Sequence, residues 1–297
     1  MDPLLLEQII GLQGPLSGEK VQRVSSVSGG CIHNAWKLEL NSGKTFFAKT
    51  NCPEFYEILK FESIGLETLR LYSDCSLLHI PEPLHLMKLE SSAILLMPWI
   101  DISVGDETNL GKGLAFVHKS SSSKQDKLFG WETDGFIGSG PQPAGFLENW
   151  GECFVNLRLT PQLKIAQKWG LNIEKHSKLL EKLIDFLNDH NPSPSIVHGD
   201  LWKGNAGTSL DGKGVIFDPA IWWADREVDL AMTKLFGGFS NKFFESYEEI
   251  LPLNKTSLNR IDIYNLYHLL NHANLFGGSY KNQCLNILQR LEILLLK

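Results

Sequence analysis

Two short apolar runs that each end in a carboxylate constrain this chain more than any other feature of it. Residues 195–197 lead into His198-Gly199-Asp200-Leu201-Trp202-Lys203-Gly204-Asn205, and residues 214–217 lead into Asp218-Pro219. Asn205 follows Asp200 by five positions, and Asp218 follows Asn205 by thirteen. A His-Gly-Asp triplet alone reads as a turn, because Gly and Asp favour turns. A strand-like run before each segment instead brings the three polar groups to one edge. That set suits phosphoryl transfer. One carboxylate accepts or orients the proton of an attacking hydroxyl, while a second carboxylate and an amide oxygen hold magnesium against nucleotide phosphates. Protein kinases space their catalytic-loop and metal-binding groups the same way. Asp200 is therefore the candidate catalytic base, and Asn205 and Asp218 are the candidate Mg2+ ligands.

The first third of the chain supplies candidates for the nucleotide. Strands are expected at residues 21–27, 35–40 and 45–50. In the second, Trp36, Leu38 and Leu40 alternate with Ala35, Lys37 and Glu39, as a half-buried strand requires. Gly29-Gly30-Cys31 lies between the first two strands, where glycines let the backbone turn its N–H groups toward phosphates. On its own, Gly-Gly between strands reads as a hairpin. No G-x-x-x-x-G-K-[ST] occurs, so a Walker-type loop is excluded. Lys49 ends the third strand. A lysine there either snorkels at an edge or reaches the phosphates with an acidic partner on the next helix, expected at residues 54–71. Glu62 is the better placed partner, with Glu67 the alternative. Met97 and Trp99, on either side of Pro98, complete the candidate nucleotide contacts. Cys31, among N–H donors and near Lys49, is a candidate low-pKa thiol open to oxidation.

A buried strand is expected at residues 94–97, after which the pattern turns helical. Three-to-four-residue apolar spacing predicts helices at 110–118, 146–168, 174–189, 227–235 and 261–275, with short strands at 195–198 and 214–217. The serine-rich stretch 119–124 reads as a solvated turn. The chain is thus α+β: a small β-rich lobe over residues 1–97 and a larger, mainly helical lobe over 98–297. Its 297 residues suffice for this.

The formal net charge of −6 argues against a general nucleic-acid partner. No apolar run reaches the ~18 residues of a membrane span. Asp2-Pro3 reads as a helix cap and first turn rather than the start of a secretory signal, which leaves a reducing cytoplasm as the expected location. The five cysteines are scattered and form no CxxC, so neither a disulfide framework nor a zinc site is expected.

Blocks beyond the catalytic loop carry a resemblance. They include Gly29-Gly30-Cys31-Ile32 with Asn34-Ala35, Phe129-Gly130-Trp131, Pro141-Gln142-Pro143 and Arg158-Leu159-Thr160-Pro161-Gln162. Further on come Asp225-Arg226-Glu227, Leu235-Phe236-Gly237-Gly238-Phe239 and Asn274-Leu275-Phe276-Gly277-Gly278. Together with His198-Gly199-Asp200-Leu201-Trp202 they resemble the fructosamine (ketosamine) kinase family, relatives of aminoglycoside and choline kinases. The resemblance implies a two-lobed protein-kinase-like fold and use of ATP and Mg2+. It also implies phosphorylation of the 3-hydroxyl of ketosamines, free or on glycated proteins, as a deglycation repair, by a monomer or homodimer. By the same resemblance Asp200 is the base, Trp202 contacts the sugar, and Lys49 with Glu62 orders the phosphates. His33 and Lys203 depart from the family pattern and bear on substrate preference. Kinases for aminoglycosides or choline are the neighbouring alternative. A pseudokinase would lack Asp200, Asn205, Asp218 or Lys49, and all four are present. Asp229 is read as a buried carboxylate holding backbone N–H groups of the catalytic loop. Trp222 and Trp223 serve either the sugar site or helix packing, and His272 and Asn274 suit hydrogen bonding in the core.

Overall fold

The structure, a computed structural model, describes residues 1–28, 32–122 and 128–296. It opens on α1 (Pro3–Ile10), whose Asp2 carboxylate accepts the Leu4 N–H at 2.9 Å, with Pro3 at the first turn. An antiparallel meander comes next: β1 (Val21–Val27), β2 (Asn34–Leu40) and β3 (Thr45–Asn51). A 3-10 turn leads to α2 (Tyr56–Tyr72), then β4 (Leu78–His79), β5 (His85–Lys88) and β6 (Ala93–Pro98). The first sheet runs β1-β2-β3-β6-β5. Its alternation decides what packs where. Leu38, Leu40, Ala48, Ile94 and Leu96 face one side, against Leu5 and Ile9 of α1. Leu95 and Met97 face the other, toward Leu59, Leu66 and Leu69 of α2. β6 is buried on both faces, which is why it reads as an unbroken apolar run.

The second lobe begins with β7 (Ile102–Ser103) and α3 (Thr108–Ser122). Four three-residue strands succeed them: β8 (Phe129–Trp131), β9 (Gly135–Ile137), β10 (Gly140–Gln142) and β11 (Gly145–Leu147). Then come α4 (Trp150–Phe154), α5 (Thr160–Ala166), α6 (Ser177–His190), β12 (Ser195–Val197), β13 (Ala206–Ser209), β14 (Gly214–Ile216) and β15 (Trp222–Ala224). The chain ends in α7 (Glu227–Leu235), α8 (Asn241–Ile250), α9 (Ile261–Phe276) and α10 (Ser279–Leu295). The whole is a two-lobed, protein-kinase-like α+β architecture. Among the described residues no helix is long and apolar enough to cross a membrane.

Two sequence expectations are corrected. Residues 146–168 are not one helix: Phe146 and Leu147 pair with β8, and α4 begins only at Trp150. The run then widens into a π turn over Val155–Leu159 ahead of Pro161. Pro161 lacks the N–H that would reach the Leu157 carbonyl. The Arg158 guanidinium donates to that carbonyl instead, at 2.9 Å. The serine stretch is not wholly a turn either, since Ser120, Ser121 and Ser122 lie in α3. Ser121 is buried, donating to the Val117 carbonyl at 2.7 Å and accepting the Ile196 N–H at 3.0 Å. Residues 123 and 124 lie outside the described residues.

Trp222 belongs to the core. Its ring stacks on Trp150 at 5.5 Å, and the Arg158 guanidinium covers it at 4.1 Å. Trp223 packs edge-on against Tyr72. His190, Asp225 and Glu227 lie within metal-ligand reach of one another. Tyr264 and His190 hydrogen-bond Asp225, and Arg260 pairs with Glu227 through two bonds of 2.7 and 2.8 Å, so the charges are met within the protein.

Candidate active site

The two carboxylate-ended segments meet through their loops rather than along one sheet edge. β12 pairs with β15, whereas β14 pairs with β13 and β4, in a different sheet. Three bonds join the loops beyond β12 and β14. Phe217 N donates to the Asn205 carbonyl at 3.1 Å, Ala220 N to the His198 carbonyl at 2.8 Å, and His198 Nε2 to the Phe217 carbonyl at 2.9 Å. Gly199 has φ +81°, and a Cβ there would lie 2.0 Å from the Ala220 carbonyl oxygen, so only glycine fits. Asp229, on α7, accepts the N–H groups of His198 at 2.7 Å and Gly199 at 2.8 Å, and faces His118 Nε2 at 3.1 Å. Burial disfavours its charge. The bonds from His118 and the catalytic-loop backbone outweigh that and hold its carboxyl below the ordinary aspartate range.

On the loop so fixed, Asn205 Nδ2 donates to the Asp200 carbonyl at 2.9 Å and to Asp200 Oδ2 at 3.3 Å, which leaves the Asn205 amide oxygen free of that duty. Asp200 Oδ1 is buried and has no hydrogen-bond partner among the described residues. Burial, then the neighbouring charge of Asp218, pushes the Asp200 carboxyl up to about 7. Asp218 holds φ +58°, a left-handed conformation that Asp tolerates better than most residues, and its Oδ1 contacts Lys49 Nζ. Lys49 also donates to Glu62 Oε1 at 2.7 Å. Burial alone would lower the Lys49 pKa, but Asp218 and Glu62 together raise it, so the ammonium stays charged. Glu62 is buried, and burial pushes its carboxyl upward against the pull of Lys49. Glu67 lies on the exposed side of α2.

Lys49, Glu62, Asp200, Asn205 and Asp218 line one cavity of about 420 Å³ between the lobes. Ala35, Phe47 and Met97 of the first sheet, with Trp99 and Phe217, supply apolar wall. The second lobe contributes Trp202, Phe136, His272, Leu275 and Phe276. The Trp202 ring lies across Gly204, where a Cβ would come within 2.3 Å of it, and meets Phe236 edge-on at 6.3 Å. Lys49, Glu62, Met97, Trp99, Asp200, Trp202, Asn205 and Asp218 therefore share this cavity. Gly29, Gly30 and Cys31 lie outside the described residues.

His272 departs from its sequence reading. Its Nδ1 donates to the His268 carbonyl at 2.9 Å, but the ring lines the cavity, packed between Phe236 and Tyr280. The signal was its place in the last turn of α9, just before Gly277-Gly278 ends the helix. Asn274 does bond within the protein, to Gln162 and to the indole of Trp169. Lys203 turns away from the cavity, onto buried Glu107 and over the Phe239 ring at 5.3 Å, so its role is to tie the catalytic loop to the start of α8.

The donor set fits a magnesium nucleotide. The apolar wall suits a base, and a buried ammonium, a carboxylate and an amide group line the same cavity. The sequence profile of the family described as fructosamine kinase matches residues 9–294. A protein of Synechocystis named a probable ketoamine kinase is 36% identical over 274 residues, which cover 91% of this chain and 90% of that one. The protein-ribulosamine 3-kinase of Oryza sativa subsp. indica is 34% identical over 275 residues, 91% of this chain and 78% of that one. A crystal structure from Haemophilus somnus, assigned as a fructosamine-3-kinase, superposes with a TM-score of 0.81 at 27% identity, covering 92% of each chain.

Proposed function

The chain belongs to the fructosamine kinase family and is an ATP-dependent kinase, and on that premise we propose that it transfers the terminal phosphate of ATP to the 3-hydroxyl of ketosamines. The observation that carries this reading is Asp200 Oδ1, a buried acceptor with no partner among the described residues, in the cavity that Lys49 and Trp202 also line. Asp200 takes the role of the base that orients the sugar hydroxyl and receives its proton. Its raised pKa suits that task near neutrality. The base of the nucleotide occupies the slot of Met97 and Trp99, and Lys49, held by Glu62, meets the phosphates. Asn205 and Asp218 are the residues to hold Mg2+, which would neutralise charge on the transferred group. Gly29, Gly30 and Cys31 are proposed, from the resemblance alone, to cover the phosphates.

At the acceptor end Trp202 offers its ring to the carbon face of the sugar. The wall there is mostly apolar, and Asn271 is engaged with Gln162 and the Ile137 carbonyl. Few side chains remain to read the distal hydroxyls of a six-carbon sugar. A missing hydroxyl then costs little, ~1–3 kcal/mol, and shorter sugars are accepted. Ribulosamine and erythrulosamine adducts of lysine, free or on proteins, are thus the preferred acceptors. The name of the rice relative supports this choice. The phosphorylated adduct then breaks down and frees the amine, a deglycation repair. The test is ATP consumption with a ribulosyl-lysine acceptor, with phosphate incorporation followed by mass spectrometry. Phosphorylated acceptor from the wild type and none from Asp200→Asn support the reading. ATP hydrolysis without acceptor phosphorylation contradicts it.

A further inference from the structure

His33, three residues past the glycine pair, is held in one tautomer by a single neighbour. Asn51 closes β3, and its Oδ1 accepts the Cys52 N–H at 2.8 Å, which fixes the orientation of its amide. Its Nδ2 donates to the Ile32 carbonyl at 2.9 Å and faces His33 Nδ1 at 3.0 Å. An amide nitrogen only donates, so His33 Nδ1 is the acceptor and the neutral ring carries its proton on Nε2. Burial, then the charge of Lys49, holds the imidazole down to about 4, so it is neutral in ordinary buffers. Phe55 packs edge-on against the ring at 6.0 Å. Among the described residues no hydrogen-bond partner takes up Nε2–H.

The ring lines the cavity within electrostatic reach of both Lys49 and Asp218. Its neighbour Ile32 reaches toward the acceptor end. A Cβ on Gly138 would stand 3.1 Å from Ile32 Cδ1 and 3.6 Å from a methyl of Leu275. His33 therefore faces the same cavity as Lys49 and Asp218, the residues that the kinase reading places at the phosphates. We propose that His33 donates its Nε2–H to the terminal phosphate of the bound nucleotide, a positioning contact that is made to ATP and absent with ADP. The inference rests on the kinase reading above. It assigns His33 to the nucleotide rather than to the choice of sugar.

Calorimetric titration of the magnesium complexes of ADP and of a β,γ-imido ATP analogue tests it, with wild type, His33→Ala and His33→Gln. A hydrogen bond to a charged group is worth enough that His33→Ala should weaken the ATP analogue on the order of tenfold or more, with ADP unchanged within about twofold. Gln places an N–H close to the position of Nε2 and should restore most of the loss. ADP binding by His33→Ala also reports that the variant is folded. Equal weakening of both nucleotides, or an unchanged analogue, overturns the proposal. Histidine 15N shifts give a second readout, and an Nδ1–H tautomer for His33 at neutral pH also overturns it. A wild type that binds neither nucleotide removes the kinase reading itself, a distinguishable result.

Discussion

The main-chain N–H of His198 donates to the Asp229 carboxylate across 2.7 Å, so a helix in the second lobe holds the backbone of the catalytic loop from behind. Gly199 N and His118 Nε2 meet the same carboxylate. Because the folded pKa of Asp229 is depressed, its contribution to stability is complete above the ordinary aspartate value of ~3.9 and is lost as pH falls through the folded value. Asp229→Asn should lower stability at pH 7 by about 3 kcal/mol, since an amide turns a donor toward backbone donors. Its melting temperature should also fall less steeply than that of the wild type below about pH 4. Thermal melts from pH 7 to 3 check both. Parallel curves would remove the carboxylate from this role.

Lys49 and Glu62 make a second pair that can be tested alone. Glu62→Ala leaves Lys49 with Asp218 as its remaining carboxylate among the described residues. The ammonium is then drawn onto a proposed metal ligand. The Michaelis constant for ATP should rise on the order of tenfold, as expected for losing one charged hydrogen bond. Kinetics at saturating acceptor measure it. An unchanged constant would make the pair structural only.

The two aspartates should separate. Asp200→Asn removes the proposed base and should abolish most turnover while nucleotide still binds. Asp218→Asn should weaken magnesium-nucleotide binding as well as turnover. Affinity and rate measured for both variants decide the assignment, and near-normal turnover by Asp200→Asn would contradict it.

Two tryptophans should respond in opposite ways. Trp222 is fully buried against Trp150 and Arg158, and Trp222→Ala should cost about 3–5 kcal/mol of stability. Trp202 is only half-buried at the cavity wall. Trp202→Ala should leave the melting temperature nearly unchanged and raise the Michaelis constant for ketosamines by about 1–2 kcal/mol, roughly 5- to 30-fold. Melts and kinetics on both variants check this, and a large stability loss in Trp202→Ala would place it in the core.

The strands around Lys49 were legible because alternation in β2 and the apolar run of β6 each match a burial pattern. The three-residue strands β8 to β11 were not, since three residues carry no period and Phe146-Leu147 continues the spacing of the helix after it. That Asp200, Asn205 and Asp218 come together in one cavity was legible from spacing, although the loops that unite them extend from strands of different sheets. Trp222 could not be assigned, because an indole reads alike in a core and on a sugar platform. His272 was read as a core residue because apolar neighbours on α9 conceal that its last turn opens onto the cavity.

The most direct test of the central claim is product analysis across an acceptor panel. Ribulosyl-, erythrulosyl- and fructosyl-lysine, an aminoglycoside and choline are each incubated with ATP and Mg2+. Turnover is measured, and the phosphate is located by 31P–1H correlation. The account predicts a 3-phosphate on the ketosamines, with higher catalytic efficiency on the ribulosyl and erythrulosyl adducts than on the fructosyl one. A clear preference for fructosyl-lysine would contradict that order. No turnover of any ketosamine, with robust turnover of the aminoglycoside or choline, would contradict the function itself.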